Sequence, residues 1–398
     1  MKRLYRYLPP FAGDYSGICS ALYELGGMLC IHDASGCTGN YTGFDEPRSY
    51  NSNRLVYCTG LRKTDAILGN EEVYIDKIVR AAKDMNPEFV AIVGSPVPMV
   101  IGFDFHGVAK EIESRLQIPV FGFESNGIKG CYKDGIVMAV KRILDYYVPA
   151  NLQEKVRTGK KVNIIGVTPL DMSSENLAAL REEVNEHGYE VNCVLSMENS
   201  LEEIKQMPVA DVNLAVTQAG VILAIEIEKR YNIPYLAGLP IGEAGGRHYF
   251  RCLEQVIKTQ KSMEISDMPM EAECPMPKRG QRVVVLEDSI IASSIRLQLL
   301  AEGYEQVDVI SLFGKDESTS LVHAEVVDGE EDIIRWVNQE GEMLLIADPF
   351  ILELCERKEN VKLLKLPKYA ISSKLAHKAR WNYIGKGWDC KMKELNYM

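Results

Sequence analysis

The chain has 398 residues, 46% of them hydrophobic and 25% charged, and carries a formal net charge of −11 at pH 7. That length exceeds one ordinary domain and predicts two or three, each with a core of normal size. The acidic balance argues against general nucleic-acid binding, and no apolar run of about 18 residues predicts a membrane span.

The N-terminal Met1-Lys2-Arg3-Leu4-Tyr5-Arg6-Tyr7 has no apolar stretch behind it, so it does not read as a signal peptide. Ten cysteines without such a signal predict a reducing, cytoplasmic setting. No Cys-x-x-Cys pair supports a zinc ribbon or thioredoxin-type site. The first strong signal is Gly13-Asp14-Tyr15-Ser16-Gly17-Ile18-Cys19, followed by Ile31-His32-Asp33-Ala34-Ser35-Gly36-Cys37. Each cysteine is expected in a glycine-rich turn, with a helix-like apolar run at 21–25 between them. From residue 85 onward short apolar runs alternate with amphipathic stretches such as 108–116. Strands are predicted at 89–93, 119–123, 162–167, 191–195, 212–216, 234–237, 282–286, 307–310 and 343–347. Continuous apolar strands separated by helices imply parallel sheets covered on both faces. Polar breaks at 150–161 and 268–280 divide the chain. The expected fold class is α/β: three Rossmann-like units with mainly parallel sheets flanked by helices around a central cleft. Their expected limits are 1–157, 158–277 and 278–398.

Small neighbours let a cysteine sulfur approach a bulky inorganic group, so Cys19 and Cys37 suit an iron–sulfur cluster. The alternative is that both are buried small hydrophobes, the usual fate of free cysteine. Such clusters want four ligands, usually thiolates. Two per chain are half a set, which a symmetric dimer completes if the site lies on the two-fold axis. Cys58 is near enough in sequence to be a spare ligand, or is an interior thiol beside Val56 and Tyr57. Cys30 is expected to pack inward. Cys131, Cys193, Cys252, Cys274, Cys355 and Cys390 show no ligand spacing; Cys274, in the second break, would be the oxidisable one. Gly242-Glu243-Ala244-Gly245-Gly246-Arg247-His248 predicts a glycine-rich loop facing the cleft, or a helix-capping turn. No G-x-x-x-x-G-K-S/T loop is present for ATP, and no G-x-G-x-x-G follows a strand for a nicotinamide cofactor.

Taken in order, these motifs resemble the nitrogenase component 1 superfamily, which includes the dark-operative protochlorophyllide and chlorophyllide reductases and a nickel-tetrapyrrole reductase. Residues 31–37 resemble the family's "I-H-G-P-x-G-C". Thr59-Gly60-Leu61-Arg62 with Gly69-Asn70-Glu71-Glu72 resembles its threonine-rich turn and "F-G-G" segment. Gly94-Ser95-Pro96-Val97-Pro98-Met99-Val100-Ile101-Gly102-Phe103-Asp104 resembles "C-P-x-x-x-I-G-D-D". Phe123-Glu124-Ser125-Asn126-Gly127 resembles the next glycine turn. Ser95 stands where the family usually places a third cluster cysteine; a serine alkoxide can ligate iron, whereas a helix N-cap or strand-end hydroxyl is the plainer role. Residues 216–220, before a helix leading to Tyr231-Asn232-Ile233-Pro234, lack the cysteine that anchors an iron–molybdenum cofactor, and a soft sulfur ligand is not replaced by valine or threonine. His377 with Trp381-Asn382-Tyr383-Ile384-Gly385 resembles the segment carrying the cofactor histidine, at a different spacing.

The resemblance implies a component 1 type oxidoreductase. The 1–157 unit would dimerise, with itself or a homologous subunit, and bind one bridging [4Fe-4S] cluster through Cys19 and Cys37. Electrons would come from an ATP-dependent reductase of the iron-protein type and pass to a small molecule or tetrapyrrole in the cleft. His32, His248 and His377 are the candidate proton donors. Two other classes stay open: a scaffold on which a metal cofactor is assembled, and a cluster-free small-molecule binder.

Overall fold

The computed structural model describes residues 5–50, 56–149, 158–270, 280–314 and 324–397. Three parallel sheets carry the fold. The first contains β1 (Met28–Ile31), β2 (Val56–Cys58), β3 (Val90–Val93) and β4 (Val120–Phe123), in the order β2-β1-β3-β4. The second contains β5 (Lys161–Ile165), β6 (Glu190–Val194), β7 (Val212–Ala215), β8 (Tyr235–Ala237) and β9 (Met263–Glu264), in the order β6-β5-β7-β8-β9. The third contains β10 (Arg282–Glu287), β11 (Val307–Ser311), β12 (Ala324–Val326), β13 (Met343–Ala347) and β14 (Val361–Lys365), in the order β12-β11-β10-β13-β14.

Central strands such as Val90-Ala91-Ile92-Val93 and Met343-Leu344-Leu345-Ile346-Ala347 are buried along their whole length, as strands covered by helices on both faces must be. The expected α/β class, with helices flanking three parallel sheets, is the one observed. Among the strands not anticipated, β1 is an interior strand of four buried residues that lies before the alternating pattern begins; the other four have plain causes. β2, β9 and β12 have only two or three residues. β14 reads Val-Lys-Leu-Leu-Lys and is an edge strand with polar residues facing out.

Two local readings are corrected. The first helix is Asp14–Leu22, earlier than the run at 21–25, so Cys19 lies inside a helix and not in a turn. Gly17 is there for contact, not for turning. A Cβ at Gly17 would fall 1.8 Å from the Tyr132 carbonyl oxygen, and one at Gly135 would fall 1.9 Å from that of Asp14. The helices Asp14–Leu22 and Tyr132–Tyr147 therefore touch backbone to backbone. The Asp14 carboxylate adds bonds from the backbone N–H groups of Asn126 and Gly127, fixing the turn after β4. The second correction concerns residues 242–248, which open the helix Gly242–Thr259 and form no loop. Gly242 enters the helix at φ +67°, where a Cβ would meet the Gln298 amide at 2.2 Å. The C-terminal helix Lys386–Tyr397 packs on that same helix, with Trp388 fully buried and its indole N–H donating to Glu302. Among the described residues no helix is long and apolar enough to cross a membrane. Cys274 lies outside the described residues.

Candidate functional site

In parallel sheets, ligands bind beyond the carboxyl ends of the strands. At that end of the first sheet, Ile31 of β1 pairs with Cys58 of β2 on one side and with Val93 of β3 on the other. The chain then turns through His32–Ser35 into the short helix Gly36–Asn40, whose second residue is Cys37. Ser35 sits at φ +114°, a costly conformation for a residue with a side chain. Asp33 holds that turn: its carboxylate accepts from the Ser35 backbone N–H, from Thr38 N–H at 2.6 Å and from the Thr38 hydroxyl at 3.0 Å.

Cys37 is half-buried. Asp33, Ser95, Tyr15 and Cys58 all lie within electrostatic reach of its thiol. Burial pushes its pKa up and Asp33 adds to the rise, while Ser95 and Tyr15 oppose it. A metal bound here must displace the thiol proton. Cys58 is also half-buried; its thiol donates to the Asp33 carbonyl at 3.5 Å, and its sulfur accepts from Gly60 N–H at 3.4 Å. Ser95 is buried at the N-cap position of the helix Pro96–Val100 and donates to the His32 carbonyl at 2.7 Å. It is a strand-end hydroxyl within electrostatic reach of the Cys37 thiol.

Cys19 is placed elsewhere. It is fully buried, and its charged neighbours are Glu46 and Cys30, not Cys37. Burial drives its pKa well up, with Glu46 adding to the rise. Glu46 is itself locked by Arg48 at 2.7 Å and by the Tyr41 hydroxyl at 3.0 Å. The compartment is closed, and a thiolate there would stand beside a buried carboxylate. Cys58, beside Ser95, is therefore nearer to Cys37 in its electrostatic surroundings than Cys19 is. Cys30 packs inward as expected, with burial pushing its thiol up to about 12.

Among the described residues no group of three or more His, Cys, Asp or Glu side chains is placed to hold one metal ion. Two thiols are half of a four-ligand set, so these residues fit a cluster only if a second subunit supplies the rest. The surroundings suit such a subunit: Val100 and Ile128, on the helix and turn flanking Ser95, are 76% and 59% exposed.

His32 is buried, with its ring against Tyr74 at 4.5 Å and Phe103 at 4.3 Å and Nδ1 2.8 Å from the Thr59 hydroxyl. It borders a cleft of about 580 Å³ that also takes in Lys77 and Gly102. Burial, then the Lys77 charge, lowers its pKa to about 4. A base with a depressed folded pKa binds fewer protons folded than unfolded. Its stabilising share is therefore complete above pH 6.5 and lost as pH falls through 4. Urea unfolding between pH 6.5 and 4 is expected to show roughly 3 kcal/mol more loss for wild type than for His32→Phe. Equal losses would place the titration elsewhere.

Of the other histidines expected at the cleft, only the His248 side chain is described. His248 is fully buried and bonds the Ile265 carbonyl at 2.8 Å and the Cys252 sulfur at 3.6 Å, so it is a core histidine. His377 lies in the short segment Ser373–Ala379, and its side chain lies outside the described residues. What occupies the junction of the units is a buried charge cluster. Lys368 Nζ contacts Glu287 at 2.5 Å and Asp171 at 3.2 Å, and Asp171 accepts from the Tyr132 hydroxyl at 2.5 Å. Asp348 holds the Lys368 backbone N–H at 2.8 Å and the Ser372 hydroxyl at 2.7 Å. Burial alone would lower the Lys368 pKa; the Glu287, Asp171 and Asp288 charges overcome it and raise it. Burial pushes Glu287 up to about 7 against the pull of that ammonium.

Asp33 and Tyr15 were missed as site residues. The available signal was that Asp33 stands where the resembled motif has glycine.

Residues 16–348 match the family described as Nitrogenase component 1 type Oxidoreductase. Similar proteins include the nitrogenase iron-molybdenum cofactor biosynthesis protein NifE of Bradyrhizobium diazoefficiens, 26% identical over 52% of this chain and 38% of that protein. A light-independent protochlorophyllide reductase subunit of Leptolyngbya boryana is 23% identical over 48% of this chain and 39% of that one. The nitrogenase molybdenum-iron protein alpha chain of Clostridium pasteurianum is 23% identical over 54% and 40%. The matches thus span less than half of these relatives' own lengths. A solved structure described as nitrogenase Cp1 at pH 6.5 has a TM-score of 0.69 at 16% identity, covering 100% of this chain and 93% of that one.

Proposed function

Because the chain belongs to the nitrogenase component 1 type oxidoreductase family, we propose that it is an electron-transferring subunit that holds half of a bridging [4Fe-4S] cluster on Cys37 and Cys58. The observation that carries this is the convergence of both thiols and the Ser95 hydroxyl at the carboxyl end of the first sheet, beside an exposed apolar rim. Such a cluster, when bound, passes single electrons. The chain's own residues do the rest. Cys37 and Cys58 bind as thiolates. The Ser95 and Tyr15 hydroxyls act to favour the Cys37 thiolate. Asp33 fixes the strained turn between them. Val100 and Ile128 exclude water where a second copy, or a homologous subunit, seats.

The donor in this reading is a separate ATP-dependent reductase of the iron-protein type, since this sequence has no phosphate loop. The acceptor is a small molecule or tetrapyrrole between the second and third sheets. A scaffold for cofactor assembly is the second reading, favoured by the similarity to a protein named for cofactor biosynthesis.

Mixing reconstituted protein with a pre-reduced reductase of that type and MgATP tests the proposal by stopped-flow absorbance. Oxidation of the reductase well above its rate alone, absent with Cys37→Ser, is expected. Oxidation at the background rate contradicts electron transfer. Handover of bound metal to an acceptor protein, without turnover, selects the scaffold.

A further inference from the structure

We propose that the cleft beside His32 binds a zwitterionic α-amino acid with an apolar side chain, its carboxylate on His32 and Lys77 and its ammonium on Glu71. The site goes beyond the electron-transfer reading and needs no iron.

The cleft opens at the carboxyl end of the first sheet, between the turn after β2, the start of the helix Glu71–Met85 and the turn at 101–103. It spans about 580 Å³ with its open mouth, and has room for roughly six to nine waters, the bulk of a solute of about nine heavy atoms. Its backbone walls are bare. Gly60 and Gly102 stand at φ +65° and +72°, and a Cβ on either would meet nothing within 4 Å.

His32 is the inner polar anchor. It is 3% exposed, its ring packs against Tyr74 and Phe103, and Nδ1 lies 2.8 Å from the Thr59 hydroxyl. That hydroxyl oxygen accepts from Asp33 N–H at 3.3 Å, so its own proton is left for Nδ1, and the imidazole carries its hydrogen on Nε2. Among the described residues Nε2 has no hydrogen-bond partner, and it is not closed off from solvent, so it opens on the cleft that the ring borders. Lys77 stands beside it, with Nζ 3.5 Å from the Thr59 carbonyl and, among the described residues, no carboxylate within 4 Å. The helix Glu71–Met85 starts at the same cleft with no side-chain cap from Asn70, so its positive end adds to both.

These groups decide the ligand. The His32 N–H, the Lys77 ammonium and the helix end all favour a carboxylate. Two acids border the same cleft. Asp65 already accepts from Arg62 N–H at 3.2 Å, whereas the Glu71 carboxylate has no partner among the described residues. A dianion would meet both acids, and a simple amine would meet Lys77. A zwitterion answers both signs at once. Val73 and Ile101, 41% and 42% exposed, leave apolar wall beside Phe103 for an aliphatic side chain.

L-Leucine is the probe; 4-methylpentanoate lacks its ammonium and isopentylamine lacks its carboxylate. Isothermal titration of the full chain is expected to show saturable binding of leucine, with both analogues weaker by about tenfold or more. Lys77→Met is expected to weaken leucine by about tenfold or more. Glu71→Gln is expected to bring leucine down to the affinity of 4-methylpentanoate and to leave 4-methylpentanoate unchanged. Both side chains are exposed, and circular dichroism confirms that the variants are folded. In NMR spectra of histidine-labelled protein, leucine is expected to shift the His32 ring signal, assigned by its absence from His32→Phe. No saturable binding, equal affinity for leucine and either analogue, wild-type affinity in Lys77→Met or Glu71→Gln, or an unmoved His32 signal each overturns the proposal. Because no iron, reductase or turnover enters the measurement, its failure is distinct from failure of the electron-transfer reading.

Discussion

Replacing Cys37 by serine is expected to cut the iron retained after anaerobic reconstitution by roughly tenfold or more, because a first-contact thiolate is lost from a soft-metal site. Cys58→Ser is expected to do the same. Cys19→Ser is expected to leave iron in place and to lower stability instead: a serine hydroxyl in that closed compartment must find a partner beside Glu46 or cost about 1–3 kcal/mol. Ser95→Ala removes the bond to the His32 carbonyl and a hydroxyl that favours the Cys37 thiolate, so it should keep iron and shift the reduction potential. Iron quantification on the four variants, with unfolding curves, separates these outcomes. Loss of iron in Cys19→Ser with full retention in Cys58→Ser would return the ligand role to Cys19.

The largest expected effect on stability lies at the junction of the units. Lys368 is 1% exposed and bridges Glu287 and Asp171. Removing its charge leaves buried carboxylates uncompensated, which costs about 3–5 kcal/mol. Lys368→Met should therefore lower the urea midpoint sharply. Adding Glu287→Gln should recover part of the loss, because one buried charge is then gone and the orphaned Oε2 position is no longer a carboxylate oxygen. Glu287 has a folded pKa raised to about 7, so its own contribution is present below its ordinary value near 4.5 and declines as pH rises through 7. In the Lys368→Met background, acidification from pH 7 toward 5 should therefore be stabilising relative to wild type. A variant as stable as wild type at pH 7 would show that solvent already reaches this cluster.

The sheets were legible because strands such as 90–93 and 343–347 are continuous apolar runs between amphipathic helices. Short or edge strands lack that pattern, and β14, with lysines at 362 and 365, reads as surface. The candidate site was half legible. Cys58 and Ser95 lie at strand ends and Cys37 just past the turn after β1, where turn residues give their positions away. Cys19 misled because Gly17 resembles a turn residue, yet it serves the backbone contact with Tyr132. That contact joins residues more than a hundred positions apart and leaves no local trace. Gly242 misled for the same reason, being small so that the helix it opens can pack against Gln298. The Lys368 cluster was invisible because its members are spread over 171, 287, 348 and 368 and meet only when the second and third sheets dock.

The most direct measurement is iron and sulfide content with EPR after dithionite reduction, on anaerobically reconstituted protein whose oligomeric state is fixed by light scattering. The account predicts about four irons and four sulfides per dimer, with the signal of a reduced [4Fe-4S] centre and no iron on the monomer. A dimer without iron, or a monomer that holds a full cluster alone, would contradict it.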